Sequence, residues 1–525
     1  MKKIRCLAAA LAISMLVSGC ASTTTQKTQV NDADLESYPL KGEFNFTYWG
    51  QLSTNLSSSF SNQAESPFEQ ELAKRTGVTV EYLHPAAGSV AESFNILISS
   101  GDLPDMIYYP WTAGYPGGAA KAISDEQIIS LNDKMEKYAP AFTAYLNANP
   151  DVKRASSTDG GDHFGFMNIY GDELLCTSAG LMVRKDWLDE LGLDVPETMD
   201  EIYTVLKAMK EQKQVELPYS GNLYQAAVWG LFVSAYGVMP ELYVDGDKVV
   251  YGAVKPGYKE YLTTMNKWYN EGLIDNSFAT LDSKTINSNM INGFAAMTNG
   301  AGGSALGTYL STAQAKDPTY DLVGLKSPVL NKGDKPMYSH YSQKVPGNCV
   351  AITTACEYPE AAMKYLDYKY TDEGHMLSVF GIEGISYNMV DGEPIYTDLI
   401  MNNPDGKTPA AMLAQYNANG GHVSDKRYIM QYYKTEQQKK ALENWSYSDA
   451  AKHAVPQLTI AEDKVSEISG MLADIQTYSQ SMTLKFIMGT EDLANFDSFV
   501  ETLESMGLEK VLEAYTEALS RYNAR

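Results

Sequence analysis

Helical and strand patterns alternate along the chain between residues 44 and 109. Short runs of alternating or continuous apolar residues predict strands. Serine followed three residues later by glutamate, with a glycine one helix length further on, predicts the two ends of a helix. The predicted order is strand 44–49, helix from Ser66 to Gly77, strand 78–82, helix from Ser89 to Gly101 and strand 106–109. Strands that alternate with single helices favour parallel pairing, so an α/β lobe is predicted here.

A second lobe is predicted to begin near Gly171. Residues 181–183 have the composition of a buried strand. Thr198 and Glu201 have the spacing of a capping box, which places the start of a helix there. Asp245-Gly246 lies between two apolar runs and predicts a hairpin turn. Further helices are predicted at 186–191, 258–271, 358–370, 372–380 and 493–525.

The amino terminus has the layout of a secretory signal. Basic residues come first, and the apolar run that follows, from Leu7 to Val17, is too short to span a bilayer. The run ends in Leu16-Val17-Ser18-Gly19-Cys20, which resembles the lipobox of bacterial lipoproteins. The resemblance implies a signal peptide at 1–19 and acylation of Cys20; in the alternative interpretation Cys20 is incidental to an ordinary signal. The polar residues that follow predict a flexible tether over 20–40.

Size and charge exclude several classes of protein. A length of 525 residues is more than one hydrophobic core usually supports, so two lobes or more are expected. The formal net charge is −24, and loss of the signal's three basic residues changes it to −27. So acidic a chain is not expected to bind nucleic acid or to dock electrostatically on anionic lipid. Of the five cysteines, three remain after the signal and the anchor, so disulfides are not expected to form the framework.

Several segments, in their order and spacing, resemble family 1 extracellular solute-binding proteins. Ser99 to Ile107 is similar to the helix end, Pro-Asp turn and strand of the family's first lobe. Residues 181–201 resemble its best-known signature, although Val183-Arg184 replaces the more usual Tyr-Asn. Asn292 to Met297 is similar to its Gly-x-x-Ala-Met strand. The long lipoprotein branch of Gram-positive bacteria has counterparts of 381–387, 486–489 and Arg521-Tyr522.

The resemblance implies a periplasmic-binding-protein-like clamp of type II, with two α/β lobes and the ligand cleft between them. In such a clamp the chain crosses between lobes several times, and we expect crossings near 165–171, near Val345 and between 392 and 419. Lobe 1 is then 41–170 and 346–395, and lobe 2 is 171–345 and 396–525. The implied function is to capture a carbohydrate and deliver it to the membrane permease of an ABC importer, as a monomer anchored by lipid on the extracytoplasmic face of the cell membrane.

The sequence contains no motif that predicts catalysis, a cofactor or a metal. Nucleophile elbows, Walker loops and zinc-ligand spacings are all missing. Asn299 to Ser304 is glycine-rich without the dinucleotide spacing, and we expect a mobile loop beside the cleft. Asp159-Gly160-Gly161-Asp162 could suggest calcium, but the alternating ligands and terminal glutamate are missing, so a turn is favoured. Binding rather than catalysis is therefore expected.

Sugar sites need flat aromatic rings for C–H faces and short polar side chains for hydroxyls. Ligands of open α/β sheets bind beyond the carboxyl ends of strands. The candidates therefore come from such ends, from segment 225–236, where relatives carry a cleft aromatic, and from the irregular stretch after residue 380. Aromatic residues at these positions can also fill cores. The candidate ligand-binding residues are Trp49, Gln51, Asp105, Tyr109, Trp111, Trp229, Asn299, Glu383 and Tyr387.

Two other functions stay open at this point. A peptide or amino-acid receptor would need a charged anchor for a terminal carboxylate or amine, and Arg184 could supply it. A secreted enzyme or an adhesin would be expected to show a catalytic motif or a repeat, and the sequence shows neither.

Overall fold

The computed structural model describes residues 30–525. The predicted signal peptide at 1–19, the predicted lipidation site Cys20 and the tether as far as residue 29 lie outside the described residues. Within residues 30–525, no helix combines the length and the apolar composition that are needed to cross a membrane.

The described part of the chain contains fifteen strands and 24 α-helices. The strands are β1 (Phe44–Trp49), β2 (Val78–Leu83), β3 (Met106–Tyr109), β4 (Phe166–Met167), β5 (Ile169–Tyr170), β6 (Ala179–Arg184), β7 (Leu217–Tyr219), β8 (Leu242–Asp245), β9 (Lys248–Tyr251), β10 (Ala295–Ala301), β11 (Leu322–Gly324), β12 (Cys349–Ile352), β13 (Tyr387–Val390), β14 (Glu393–Tyr396) and β15 (Val423–Ser424). The helices are α1 (Thr54–Ser57), α2 (Pro67–Thr76), α3 (Val90–Ser100), α4 (Trp111–Gly114), α5 (Gly118–Ser124), α6 (Asn132–Tyr138), α7 (Pro140–Ala148), α8 (Pro150–Ala155), α9 (Lys185–Leu191), α10 (Met199–Glu211), α11 (Leu223–Val228), α12 (Pro256–Asn270), α13 (Ser283–Ile291), α14 (Thr308–Gln314), α15 (Pro359–Asp367), α16 (Asp372–Phe380), α17 (Asp398–Met401), α18 (Pro409–Tyr416), α19 (Lys426–Tyr432), α20 (Glu436–Ser446), α21 (Ala450–His453), α22 (Val465–Met488), α23 (Phe496–Ser505) and α24 (Leu508–Asn523).

Five strands form the sheet of the first lobe, in the order β2-β1-β3-β12-β4. β1 pairs in parallel with β2 and β3, which confirms the parallel pairing predicted for this part of the chain. β12 comes from much later in the chain and runs antiparallel between β3 and β4. The sheet is therefore mixed, and its antiparallel strand β12 could not be predicted from the local alternation of helices and strands.

The second lobe has a four-stranded sheet in the order β11-β6-β10-β7. Every residue of β6 is buried, as expected of a strand covered on both faces. Because side chains alternate along a strand, Leu181 and Val183 pack into the main core of this lobe, whereas Met182 packs into a smaller cluster around α14 and α20. The structure is the predicted two-lobed α/β clamp.

Helix ends agree closely with the predicted capping signals, with one exception. The Oγ of Ser66 accepts from the backbone N–H of Glu69, and α2 ends at Gly77 with φ of 74°. Thr198 and Glu201 form the predicted capping box. α3 begins and ends as predicted, but Ser89 makes no side-chain cap. The helix predicted at 493–525 is divided into α23 and α24.

The third crossing between the lobes lies further along the chain than we expected. α18 packs against α1, α2 and α16 of the first lobe, and β15 pairs with β5. The chain then reaches the second lobe through α20, which packs on β6 and β11. Residues 396–424, expected in lobe 2, thus lie with lobe 1, because apolar residues of α16, β14, α17 and α18 share one cluster. The other lobe limits stay predictions.

The C-terminal helix α24 belongs to the second lobe but also binds the first. Its core residue Val511 is buried in the second-lobe core. At its end, Arg521 Nε donates to Asp159 Oδ2 over 2.8 Å and Arg525 Nη2 donates to Asp159 Oδ1 over 2.7 Å. Asp159 lies in the Asp-Gly-Gly-Asp turn of the first lobe. A calcium site in this turn would use its carboxylate, but that carboxylate is bound by two guanidinium groups.

Candidate functional site

The carboxyl ends of β1, β2 and β3 lie at one edge of the first-lobe sheet. Trp49 is paired with Leu83, and Tyr109 is paired with Cys349, the residue at which the chain enters from the second lobe. The chain therefore returns from the second lobe at the same edge of the sheet at which β1, β2 and β3 end. In open α/β sheets this edge is where ligands bind.

The second-lobe sheet presents an equivalent edge. β6 begins directly after the first crossing, and its first residue Ala179 is paired with Ala301, the last residue of β10. β7 is parallel to β10, so its last residue Tyr219 lies toward the same edge. Each sheet therefore has one edge at which strand ends and a crossing between the lobes come together, and we take the space between these two edges as the candidate cleft.

Three predicted aromatic residues of the first lobe lie in its core. Trp49 and Tyr109 are 6 % and 7 % exposed, and Trp111 is 0 % exposed. The ring of Tyr109 stacks on Phe94 with centroids 3.7 Å apart, and Trp111 Nε1 donates to the carbonyl of Ile107 over 3.4 Å. These contacts are those of packing residues, and a ligand role for the three aromatics stays a prediction.

The two polar candidates of the first lobe are placed differently. Gln51 is exposed, two residues beyond the end of β1, at the edge of the cleft. Asp105 lies at the opposite, amino end of β3, where its Oδ2 accepts from both N and Oγ1 of Thr47 over 2.7 Å. Asp105 therefore joins β1 to the turn before β3.

Trp229 and Asn299 lie near the strand-end edge of the second lobe. Trp229 is half-buried, and its ring meets that of His340 edge-on, with centroids 5.0 Å apart. Asn299 is 6 % exposed, and its Oδ1 accepts from the hydroxyl of Tyr219 over 2.7 Å. The glycine-rich segment after Asn299 is not a loop: β10 continues to Ala301, and 302–307 form one wide helical turn.

Glu383 and Tyr387 lie away from the strand ends. They line a surface depression together with residues of α2 and α16, all from the first lobe. Glu383 is exposed, and Tyr387 is buried with its ring 5.9 Å from that of Phe380. Their role in ligand binding stays a prediction.

A cavity of about 440 Å³ adjoins the cleft on the first-lobe side, between α1, α16, α18 and α19. We call it the hinge cavity. Ser53, which lies just beyond the end of β1, forms part of its wall. Tyr432, another residue of the wall, packs on Gly303 of the second lobe. Its ring is so close that a Cβ on Gly303 would lie 3.2 Å from it. The hinge cavity therefore opens where the two lobes meet.

The wall of the hinge cavity mixes polar and apolar side chains and carries no acidic or basic side chain apart from one histidine. Among its lining residues are Ser53, Asn55, Asn419, His422, Tyr428 and Tyr432. Burial lowers the pKa of His422 to about 3, so its imidazole is neutral. In the described part of the chain, His422 Nδ1 and Ser378 Oγ are buried without a hydrogen-bond partner. Both atoms are closed off from solvent, so the groups that the cavity can offer to a ligand are the partly exposed side chains of Asn55, Asn419, Tyr428 and Tyr432.

A model of the bacterial extracellular solute-binding protein family matches residues 57–376. The chain belongs to this family. Its members are binding proteins rather than enzymes.

Relatives of this solute-binding protein match over most or half of its length. It is 24 % identical over 514 residues to the lipoprotein LipO of Bacillus subtilis, covering 94 % of each chain. It is 28 % identical over 289 residues to the fructooligosaccharide ABC transporter substrate-binding protein FusA of Streptococcus pneumoniae, covering 51 % of each. The structure of the alginate-binding protein AlgQ2 has a TM-score of 0.70 at 21 % identity, covering 92 % of this chain and 99 % of that one.

Arg184 does not provide the solute-binding protein with a free charged anchor. Its Nε and Nη2 donate to the two carboxylate oxygens of Asp186 over 2.8 and 2.5 Å. Its guanidinium lies 3.7 Å from the ring centroid of Trp187 and 4.1 Å from that of Tyr320, and its side chain is 4 % exposed. The peptide-receptor alternative therefore loses the residue on which it rested.

Sequence reasoning missed the residues of the hinge cavity. They come from segments near 53, near 378 and over 410–432, which are distant in the chain, and the last of these was expected in the other lobe. The signal that could have found them is the Asn-Ala-Asn-Gly-Gly-His run at 417–422, which combines turn residues with sugar-suited amides.

Proposed function

We propose that this protein captures an oligosaccharide outside the cell and delivers it to the membrane permease of an ABC importer. One observation carries the proposal: a cavity that reaches toward the second lobe is lined by neutral hydrogen-bonding groups and aromatic rings, without any acidic, lysine or arginine side chain. Such a lining suits hydroxyls and C–H faces. Binding between lobes joined by several crossings is suited to closing around a solute and releasing it.

The relatives support a carbohydrate as the solute. FusA is named for fructooligosaccharides and AlgQ2 for alginate, so proteins of this fold accept sugar chains. Fructooligosaccharides are uncharged and alginate is a polyuronate, so these names leave the charge of the ligand open. Arg184 is already paired with Asp186, which argues against a terminal carboxylate as the group that the protein recognises.

Thermal-shift measurements on the mature protein test the proposal. A ligand at a hundred times its Kd adds about 2.7 kcal/mol to the free energy of unfolding. We expect oligosaccharides to raise the melting temperature and peptides and amino acids to leave it unchanged. A shift with peptides alone would overturn the carbohydrate assignment. An assay for ligand consumption by the purified protein separates a receptor from a secreted enzyme.

The proposal includes a lipid anchor at Cys20, which keeps a monomeric receptor close to its permease. The lipobox-like sequence supports it, and LipO is named a lipoprotein. Stable anchoring needs more than one acyl chain. Replacing Cys20 by Ala should release the protein from the membrane fraction, and mass spectrometry should find palmitate or a similar chain on the wild type. Unmodified Cys20 in membrane-extracted protein would count against the anchor.

A further inference from the structure

The hinge cavity has the size of a small-molecule site. Its volume of about 440 Å³ lies in the lower part of the range for such sites, about 300–1,000 Å³. It is formed by α1, α16, α18 and α19 together with the segment 417–424 that joins α18 to α19. The wall that Tyr432 provides is also in contact with the second lobe. A group bound here would lie at the meeting point of the lobes.

The polar atoms of this cavity are matched to hydroxyls. Asn55, Asn419, Tyr428 and Tyr432 line it, and all four are at least partly exposed. A sugar hydroxyl can both donate and accept, so it can hydrogen-bond to the amide and phenol groups of these residues without bringing a charge into the cavity. The aromatic rings of Tyr428 and Tyr432 add apolar surface for the C–H face of a sugar ring.

The positive charges around the cavity already have partners. Lys369 Nζ donates to the carbonyl of Gly420 over 2.6 Å, and Arg427 Nη2 donates to Asp425 Oδ2 over 2.6 Å. Neither cation lines the cavity. A carboxylate that entered it would lose its water without gaining a counter-charge, which is costly. The strongly acidic chain adds a further repulsion.

We propose that the hinge cavity binds one uncharged sugar unit of the ligand, so that the protein selects neutral oligosaccharides over uronate chains. This inference rests on the proposed function and narrows its ligand class. An uncharged unit meets the amide and phenol groups of the cavity, whereas a uronate finds no lysine or arginine among its lining residues.

Calorimetric titration with two ligand sets tests the selectivity. One set holds neutral fructo-, malto- and xylo-oligosaccharides, and the other holds galacturonate and alginate oligomers of equal length. At least one neutral chain is expected to bind at least a hundredfold more tightly than every uronate chain. A uronate that binds as tightly as the best neutral chain would overturn this inference and leave the proposed function standing. Binding of peptides and of no carbohydrate would overturn both.

Two variants that each add an arginine test whether the hinge cavity determines the selectivity against uronate chains. Asn55 is exposed and lines the hinge cavity, whereas Ser57 is exposed on the same helix and does not line it. Asn55→Arg is expected to strengthen uronate binding at least tenfold, and Ser57→Arg is expected to leave it unchanged. Equal uronate binding by wild type and Asn55→Arg would overturn the assignment to this cavity.

An aromatic pair provides a second, independent measurement. Tyr432→Ala should weaken binding of the preferred neutral chain at least tenfold, because it removes a wall of the cavity. Tyr447→Ala, at a tyrosine that is 44 % exposed and outside the cavity, serves as the matched control. Melting curves verify that both variants fold. Wild-type affinity in a folded Tyr432→Ala protein would contradict the proposal.

Discussion

Trp111 and Trp229 were equivalent candidates in the sequence, but their surroundings differ. Trp111 opens α4, and its ring centroid lies 5.3 Å from Phe94 and 6.0 Å from Tyr115 within the first-lobe core. Trp229 follows α11 at the second-lobe edge and remains partly exposed beside His340. We therefore expect Trp111 to act on stability and Trp229 to act on ligand binding.

Replacing each tryptophan by alanine should separate these roles. Trp111→Ala is expected to lower the free energy of unfolding by about 3–5 kcal/mol, because a large buried ring leaves a cavity. Trp229→Ala should cost about 2 kcal/mol or more of binding free energy. Thermal melts and calorimetric titration with a stabilising oligosaccharide measure the two effects. Unchanged affinity with a lowered melting temperature would remove Trp229 from the site.

Asp367 couples folding to pH through a buried carboxyl group. Its oxygens accept from the backbone N–H groups of Ala141 and Phe142 at the start of α7, over 3.3 and 2.7 Å. Burial nevertheless raises its pKa from 3.8 to about 6. The folded state thus holds this proton more tightly than the unfolded state. The resulting stability is fully present below pH 3.8 and is lost as the pH rises through about 6.

Asp367→Asn should remove this pH dependence. The free energy of unfolding of the wild type, relative to that of the variant, is expected to fall by about 3 kcal/mol at most as the pH rises from about 4 to about 7. Denaturant unfolding at stepped pH measures the difference. A difference that stays constant over this interval would show that Asp367 does not titrate as described.

Which residues line the site could be predicted only in part, because burial depends on the path of the chain after each strand. Gln51 and Asn299, chosen by the strand-end rule, and Trp229, chosen from the family resemblance, lie near strand-end edges, and their ligand roles stay predictions. Trp111 obeys the same rule, yet the chain after Pro110 turns at once into α4, which carries the indole back under β3. Nothing in the local sequence distinguishes that turn from an open loop.

Helix ends are the elements whose prediction was most successful, since caps are local interactions. Thr198 and Ser89 have the same predicted spacing to a glutamate. In the structure, Thr198 Oγ1 accepts from the N–H of Glu201 over 3.2 Å, and Glu201 in turn accepts from the N–H of Thr198. Ser89 instead donates to the carbonyl of Ala86. The spacing of a capping box therefore predicted the start of both α3 and α10. It predicted the side chain that caps the helix only for α10.

An alanine pair tests this difference between the two elements. Thr198→Ala should cost about 1 kcal/mol of unfolding free energy, because it removes a formed N-cap. Ser89→Ala is its matched control and should cost less than about 0.5 kcal/mol, as for an ordinary surface change. Denaturant unfolding of both variants gives the comparison. Equal losses would mean that Ser89 caps α3 in solution.

At the scale of the whole molecule, two lobes are joined by three crossings and by the ion pairs of α24 with Asp159. Ligand contacts from both lobes select the closed arrangement of such a clamp. The two-lobed class could be predicted from the family resemblance. The third crossing could not, because the packing of α17 and α18 on the first lobe is decided by long-range apolar contacts.

Small-angle scattering should detect closure of the lobes. A saturating amount of an oligosaccharide that raises the melting temperature is expected to reduce the radius of gyration, because contacts from both lobes favour the closed state. A glycan that does not raise the melting temperature is the control and should leave the profile unchanged. An unchanged profile with the stabilising ligand would indicate a rigid site on one lobe.

The position of β12 between β3 and β4 affects how the first lobe folds while the chain is being synthesised. Residues 44–167 supply four strands of the first-lobe sheet, but β3 and β4 are joined only through residues 349–352. A ribosome makes all strands of the second-lobe sheet before it reaches that segment. Until then the edges of β3 and β4 stay unpaired, and unpaired edges invite aggregation. This topology suits a polypeptide whose first lobe is kept unfolded until residue 352 has been synthesised.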